Sequence, residues 1–162
     1  MIVVLMGVSG AGKTTVGNLL SERLGWPLLD ADDFHPPANI EKMRSGMPLT
    51  DDDRWPWLER LNGLLKDKES HGESVLLACS ALKSKYRDHL AAGCREVRWV
   101  YLKGSFELIE SRLKARKRHY MKAGLLESQF GALEEPVDAI TADISAAPEA
   151  IADAVEAALI SS

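Results

Sequence analysis

Cysteine is scarce in this chain of 162 residues, which contains only Cys79 and Cys94. The two residues do not form a CxxC pair, so the sequence predicts neither a disulfide framework nor a structural zinc site. Long apolar runs are also absent, because no stretch approaches the roughly 18 residues that a membrane-spanning helix needs. The apolar residues 1–6 lack the basic segment of a signal peptide and are typical of a first strand. We therefore expect a cytoplasmic protein with no membrane partner.

An excess of positive charge is missing as well. Lysine and arginine together number 20 against 24 aspartates and glutamates, which gives a net charge of −4. A nucleic-acid partner is therefore not expected, since binding to its phosphates normally needs a basic face. The apolar share of 46% is large enough for a hydrophobic core, and the length favours a single domain over residues 1–162.

Apolar runs alternate with helical patterns along the whole chain. Short buried strands are predicted at residues 2–6, 26–29, 74–79, 97–102 and 139–144. Helices are predicted at residues 13–24, around 58–65 with an N-cap in 51–53, from Ser80 to about 92, from Ser105 to about 117, and from Pro148 onwards. This alternation predicts an α/β fold, a three-layer α/β/α sandwich with a five-stranded parallel sheet. Segment 31–54 is predicted to be an acceptor-binding insertion, and segment 118–136 is predicted to be either irregular or a lid or lid-adjacent stretch.

A glycine-rich segment follows the first predicted strand and precedes the first helix. Its sequence fits the phosphate-loop pattern GxxxxGK[ST], in which glycines let the backbone curl around phosphate oxygens. The lysine is expected to reach the β- and γ-phosphates, and the final hydroxyl to bind Mg²⁺. The predicted nucleotide-binding residues are Gly7, Val8, Ser9, Gly10, Ala11, Gly12, Lys13 and Thr14. We therefore predict a site for a nucleoside triphosphate, with a plain glycine turn as the alternative.

Two further signals narrow the class of phosphate-loop protein. No asparagine is followed by lysine, so the NKxD motif of guanine-specific proteins is missing. The third strand ends in Ala78-Cys79-Ser80 without the aspartate that often supports the metal, whereas Asp30 and Asp32 stand at the end of the second strand. The carboxyl ends of parallel strands form the ligand side of such a sheet. One carboxylate would support Mg²⁺ through water and the other would be the base of a small-molecule kinase, unless both form only a solvated acidic turn.

Several blocks of residues, in order along nearly the whole chain, resemble the gluconokinase family. They are His35, residues 39–43, 46–49, 51–58, 79–83, 86–88 and 102–104, Arg112, Arg116, and residues 119–121, 128–130 and 133–136. Each block is weak by itself, but the combination is specific. The resemblance implies a fold like that of nucleoside-monophosphate kinases and a homodimer. It also implies ATP-dependent phosphorylation of D-gluconate to 6-phosphogluconate.

Gluconate has one carboxylate and many hydroxyls, so its site needs cations and short polar side chains. Within the matching blocks, Lys83 and Arg87 are four residues apart in a predicted helix and would share a face. With the resemblance, the predicted substrate-binding residues are Asp32, His35, Arg54, Ser80, Lys83, Arg87 and Gln129. Asp32 is assigned as the base, and Asp30 as the metal residue together with Thr14, although the two aspartates could be exchanged. A solvated basic helix face is the alternative for the cations.

A basic segment extends from Arg112 to Lys122, with six lysines or arginines and no acid. Such charge would stabilise a phosphoryl transition state beneath a closing lid. Under the resemblance, Arg116 is assigned to the phosphates as a catalytic residue beside Lys13 and Asp32, and Arg112 to stacking on adenine. The alternative is a solvated helix end whose cations interact favourably with the helix dipole.

Two other functions remain open at this point. A related P-loop kinase would phosphorylate shikimate or another sugar acid, and a nucleotide-binding regulator would have no turnover. Residues 39–58 and 79–88 favour gluconate over the other acceptors. The combination of Lys13, Thr14, Asp32 and Arg116 favours a catalyst over a regulator.

Overall fold

Five parallel strands form the centre of the described part of the chain. The computed structural model describes residues 1–115 and 124–161, so Arg116 lies outside the described residues. The strands are β1 (Ile2–Met6), β2 (Leu28–Asp30), β3 (Val75–Ala78), β4 (Val97–Lys103) and β5 (Ile140–Asp143). They are arranged in the order β2-β3-β1-β4-β5, and every neighbouring pair is parallel. The predicted five-stranded parallel sheet is confirmed.

The central strand β1 is buried on both faces, as its uninterrupted apolar sequence predicts. Val3 and Leu5 pack into the core on one face of the sheet, while Ile2, Val4 and Met6 pack into the core on the other. Two strands lie on each side of β1. The loop after β1 therefore emerges at the middle of the carboxyl edge of the sheet, where ligands bind in open α/β folds.

Helices cover both faces of this sheet. They are α1 (Lys13–Leu24), α2 (Pro37–Arg44), α3 (Asp51–Ser70), α4 (Ser84–Ala91), α5 (Phe106–Ala115), α6 (Leu125–Ala132) and α7 (Pro148–Ile160). Side chains of α1, α5, α6 and α7 join one core, and side chains of α3 and α4 join the other, which confirms the three layers. None of the helices in residues 1–115 and 124–161 has both the length and the apolar content needed to cross a bilayer.

Local signals determine several helix ends as predicted. α1 ends at Leu24, and Gly25 follows with a φ of 71°, a left-handed conformation that suits glycine. The N–H of Leu108 in the first turn of α5 donates to Ser105 Oγ at 3.2 Å. Pro148 lies in the first turn of α7, where a missing N–H costs nothing.

Three local predictions are wrong. Ser80 does not cap a helix, because α4 begins at Ser84 and residues 80–83 form an irregular connection. The N-cap of α3 is Thr50 and not a residue in 51–53, since Thr50 and Asp53 exchange hydrogen bonds in a capping box. The described part of segment 118–136 is not wholly irregular, because it contains the helix α6.

Candidate active site

The phosphate loop joins β1 to α1 at the middle of the sheet edge. Val8 and Ala11 are buried and anchor the loop to the core. Gly10 and Gly12 have φ values of 83° and 99°, which L side chains rarely adopt, and Gly12 is the N-cap of α1. No side chain of the described residues caps α1. Its first N–H groups are therefore suited to binding an anion.

Lys13 begins α1 and folds back over the loop. Its Nζ donates to the carbonyl oxygens of Gly7 at 2.8 Å and Val8 at 3.0 Å. Desolvation by burial lowers the pKa of Lys13, and the nearby Asp32 and Asp30 carboxylates oppose that shift. The amine therefore lies in the field of both predicted acidic residues.

The two aspartates lie at the carboxyl end of β2, with Asp30 as its last residue and Asp32 two residues later. Asp30 Oδ1 accepts the N–H of Asp32 at 2.9 Å, so Asp30 caps a short 3₁₀ turn, Ala31–Phe34. The Asp32 side chain is 79% exposed and is accessible to a substrate. Surrounding protein atoms desolvate the carboxyl and raise the pKa of Asp32, and the charge of Asp30 adds to the rise while Lys13 opposes it. A raised pKa makes Asp32 a better proton acceptor.

Side chains of α3 hold this turn in place. Trp57 Nε1 donates to the Ala31 carbonyl at 2.7 Å. Arg60 Nη1 donates to the Phe34 carbonyl at 3.3 Å, and its guanidinium lies 5.1 Å from the centroid of the Phe34 ring. The backbone that carries the predicted base is therefore positioned by a helix that follows it in sequence.

His35 is buried directly behind this turn. Its Nδ1 lies 3.2 Å from Asn39 Nδ2, and its Nε2 lies 3.8 Å from Asp32 Oδ1. Asn39 Nδ2 also donates to the Asp53 carbonyl at 2.8 Å. Burial lowers the pKa of His35, and the positive charge of Arg54 lowers it further. The imidazole is therefore neutral at neutral pH.

Tyr86 contacts two of the cationic side chains that are predicted to bind the phosphate acceptor. Arg54 Nη1 donates to the Tyr86 hydroxyl at 3.2 Å, and Lys83 Nζ lies 5.8 Å from the ring centroid. The phenol donates to Asp51, which also pairs with Lys85. Burial and the hydrogen bond to Asp51 raise the pKa of Tyr86 to about 12, so the phenol stays neutral. The hydrogen bonds from Lys85 and Tyr86 lower the pKa of Asp51 to about 2.

Arg87 is placed apart from these accessible cations. The residue is only 9% exposed, and its guanidinium donates to the carbonyls of Ala81 at 2.8 Å, Leu82 at 3.1 Å and Glu134 at 2.8 Å. The helix-face argument that grouped Arg87 with Lys83 is wrong, because Lys83 is the N-cap of α4. The contacts of Arg87 instead stabilise the irregular connection before α4.

Two predicted substrate-binding residues contact the phosphate loop. The carbonyl of Ser80 accepts the N–H of Gly7 at 3.3 Å. Gln129 in α6 makes two hydrogen bonds with Ser9: its Oε1 accepts the Ser9 N–H at 2.7 Å, and its Nε2 donates to the Ser9 hydroxyl at 3.1 Å. Gln129 therefore lies on the nucleotide side of the candidate site.

Arg112 lies where α5 meets the connection between β5 and α7. Its guanidinium donates to the carbonyl of Ile144, directly after β5. A nucleotide whose phosphates are bound by the loop after β1 could place its base at this position.

Oxygen donors suited to Mg²⁺ are present beside the phosphate loop. Thr14 supplies an exposed hydroxyl, and Asp30 supplies a carboxylate. Within residues 1–115 and 124–161, no cluster of three His, Cys, Asp or Glu side chains could hold a metal ion. Mg²⁺ commonly binds through one or two protein oxygens, water and substrate phosphates. The donor set therefore fits an ion that arrives with a nucleotide.

Comparison with known proteins identifies the family. Residues 2–143 match the family model described as an AAA domain. The chain is 48% identical over 147 residues to the thermoresistant gluconokinase of Escherichia coli K12, covering 88% of this chain and 84% of that protein. The chain belongs to the gluconokinase family. It is similar to the crystal structure of a sugar kinase from Janibacter sp., with 42% identity and a TM-score of 0.90 over 97% of this chain and 92% of that one. It is also similar to the crystal structure of a gluconokinase from Sinorhizobium meliloti 1021, with 39% identity and a TM-score of 0.89 over 98% of this chain and 91% of that one.

Tyr86 and Asn39 are the site residues of this gluconokinase-family chain that sequence reasoning missed. Both lie in blocks that resemble the family, but neither has a spacing that assigns it a role. Each acts through contacts with residues from another helix: Tyr86 with Arg54, and Asn39 with Asp53. A buried polar side chain of this kind is identified by its partners, which only the folded chain reveals.

Proposed function

We propose that the chain transfers the γ-phosphoryl group of ATP to the 6-hydroxyl of D-gluconate, forming 6-phosphogluconate and ADP. The observation that carries the proposal is its 48% identity to a gluconokinase over 88% of the chain. The geometry supports it, because the phosphate loop, the aspartates and Lys83 lie at or beyond the carboxyl ends of β1, β2 and β3 respectively.

The phosphate loop would hold the triphosphate through its backbone N–H groups. Lys13 would leave the carbonyls of Gly7 and Val8 and contact the β- and γ-phosphates, whose charge is a stronger attractor. Mg²⁺, held by the Thr14 hydroxyl and through water by Asp30, would neutralise part of the phosphate charge when bound.

Asp32 would act as the general base. As the 6-hydroxyl oxygen forms its bond to the γ-phosphorus, the O–H bond breaks and its proton passes to the Asp32 carboxylate. The bond between that phosphorus and the β–γ bridging oxygen breaks, and its electron pair remains on ADP. The exposure of the carboxyl and its raised pKa support this role.

The acceptor would bind between segment 31–54 and the start of α4. Arg54 and Lys83 would pair with the gluconate carboxylate, and the Ser80 side chain would contact its hydroxyls. His35 is not included, because its side chain is only 3% exposed and its Nδ1 faces the Asn39 amide. We leave Arg87 out of this set because its guanidinium is buried against backbone carbonyls. Arg112 would contact adenine, and the role of Arg116 on the phosphates stays a prediction from sequence.

The proposal also includes a single catalytic domain, a homodimer and a cytoplasmic location. Resemblance to the family supports the single domain and the homodimer. The cytoplasmic location is supported by the use of ATP and by the two cysteines, Cys79 and Cys94, which are both free thiols.

Coupled measurement of ADP release tests the activity. Reactions with Mg²⁺-ATP and D-gluconate, shikimate, glucose or no acceptor should give strong stimulation by gluconate alone. Nucleotide binding without any stimulation by gluconate would overturn the proposed function.

An Asp32→Asn variant tests the base. Its kcat should fall by about 10²- to 10⁴-fold with little change in the KM for gluconate. Asp33→Asn, at the exposed neighbouring position of the same turn, is the matched control and should keep its kcat. An effect of Asp32→Asn confined to KM would make Asp32 a binding residue instead.

A further inference from the structure

Asn39 is almost wholly buried, yet it is polar and carries no role in the proposed reaction. Its side-chain amide lies between two groups, the His35 ring at 3.2 Å from Nδ2 and the Asp53 carbonyl at 2.8 Å from the same nitrogen. The Asp53 carbonyl can only accept a hydrogen bond. The amide nitrogen, and not the amide oxygen, must therefore face both partners.

This orientation determines where His35 carries its proton. An amide nitrogen has two hydrogens and donates both, so His35 Nδ1 must be the acceptor. In a neutral imidazole, an accepting Nδ1 requires that the hydrogen be on Nε2. Stacking on Trp57, with ring centroids 4.2 Å apart and planes at 17°, restrains the tilt of the ring.

The protonated nitrogen is the one nearest to Asp32. His35 Nε2 lies 3.8 Å from Asp32 Oδ1, so a displacement of under about 1 Å would form a hydrogen bond. Among the described residues, Asp32 and Arg54 place charge near the ring, and Arg54 opposes a second proton on His35. The ring is therefore a fixed neutral donor beside the carboxylate.

We propose that Asn39 is a positioning residue that imposes the Nε2–H tautomer on His35, so that this N–H orients the Asp32 carboxylate. One carboxylate oxygen is then held by His35, and the other faces the acceptor hydroxyl. The inference rests on the proposed role of Asp32 as the base. It adds two residues behind the base: the buried Asn39 amide contacts the buried His35 imidazole, and the imidazole faces the exposed Asp32 carboxylate.

Nuclear magnetic resonance tests the tautomer without any activity measurement. Long-range ¹H–¹⁵N correlation spectra of the full-length protein should show His35 as the neutral Nε2–H form, with its signals assigned by their loss in His35→Gln. In Asn39→Asp, an oxygen faces Nδ1 and should draw a proton there, which changes the tautomer or produces the imidazolium. A wild-type Nδ1–H form, or an unchanged ring in Asn39→Asp, would overturn the inference.

Steady-state kinetics test whether the His35 tautomer affects catalysis. Asn39→Asp should lower kcat by about 10- to 100-fold, the usual cost of losing a group that orients a functional side chain. The KM for gluconate should stay within about three-fold, because binding contacts are retained. A purely structural role for Asn39 would instead lower the melting temperature and change both constants together, which contradicts the proposal.

A pair of His35 variants keeps the test independent of how Asn39→Asp folds. The amide nitrogen of His35→Gln reaches about as far as imidazole Nε2, whereas that of His35→Asn reaches only as far as Nδ1. His35→Gln should therefore keep a kcat at least about 10-fold above that of His35→Asn. Equal values would overturn the inference. The two proposals can fail separately. An unchanged kcat in Asp32→Asn would overturn the role of Asp32 as the base. If His35 still has the expected tautomer in the wild type, its positioning by Asn39 would stand.

Discussion

The nucleotide side and the acceptor side of this site are built in different ways. The phosphate loop uses eight consecutive residues, 7–14, whose donors are mainly backbone N–H groups. The acceptor side collects side chains from distant parts of the chain, and the contact between Arg54 and Tyr86 joins residues 32 positions apart. The first region therefore depends on local backbone shape, whereas the second depends on how α3 and α4 pack.

The two regions also hold their cations differently. Among the described residues, the Lys13 ammonium donates hydrogen bonds to neutral carbonyls, which an incoming phosphate can replace at little cost. Arg54 lies 3.8 Å from the Asp51 carboxylate, which also pairs with Lys85. A substrate carboxylate must therefore compete with a carboxylate of the protein for the acceptor cations, which favours an acceptor that brings further hydrogen bonds.

Removal of the nucleotide-side cation should have the largest effect. Lys13→Ala deletes the charge expected on the transferring phosphoryl group and should lower kcat by about 10³-fold. Lys68→Ala removes a lysine that pairs with Glu73 at the end of α3, and it is the control that should keep its kcat. Steady-state ADP release measures both. A Lys13→Ala enzyme within about ten-fold of wild type would contradict the role of Lys13.

On the acceptor side, Arg87 should matter for stability and not for substrate binding. Arg87→Met leaves three carbonyls without their donor, which should lower the free energy of unfolding by about 2–4 kcal/mol. Chemical denaturation measures this change, and Arg23→Met, which breaks an exposed pair with Asp153, should cost much less than Arg87→Met. A stable Arg87→Met protein with a raised KM for gluconate would restore Arg87 to the acceptor site.

A smaller effect is expected from Lys83, a half-buried residue whose ammonium lies beside the Tyr86 ring. Lys83→Met should raise the KM for gluconate by about 10- to 100-fold through the loss of a charge-assisted contact. The KM for ATP should not change, because the phosphate loop is separate. Equal increases in both KM values would show that the two sides of the site are not independent, and Lys68→Met should change neither.

The smallest expected effect is a pH dependence of stability. Hydrogen bonds from Lys42 and from Thr50 lower the pKa of Asp53 to about 2 from an ordinary value of 3.8. A carboxylate with a lowered pKa stabilises the folded protein above pH 3.8, and this contribution is lost as the pH falls towards 2. The melting temperature of Asp53→Asn should therefore lie below that of wild type at neutral pH and approach it in acid. A constant difference across this range, or the same behaviour in the exposed Asp52→Asn control, would contradict the assignment.

Sequence alone determined the sheet, most helix positions and the phosphate loop of this protein. Apolar continuity in β1 and the order of glycines in residues 7–14 are local patterns, and each has a direct steric or hydrophobic cause. The pair Asp30 and Asp32 could be predicted for the same reason, because the strand before them shows where the carboxyl edge lies.

Tertiary structure alone decided which polar side chains face the acceptor and which serve the scaffold. Arg87 has the same charge as Arg54 and a favourable spacing, but the left-handed Ala81, with a φ of 44°, directs its carbonyl to the Arg87 guanidinium. The orientation of the Asn39 amide towards His35 is decided by α3, which brings the Asp53 carbonyl to the same amide nitrogen. Spacing along the chain shows which residues can share a helix face, but the hydrogen-bond partner of a buried polar group comes from whichever element packs against it.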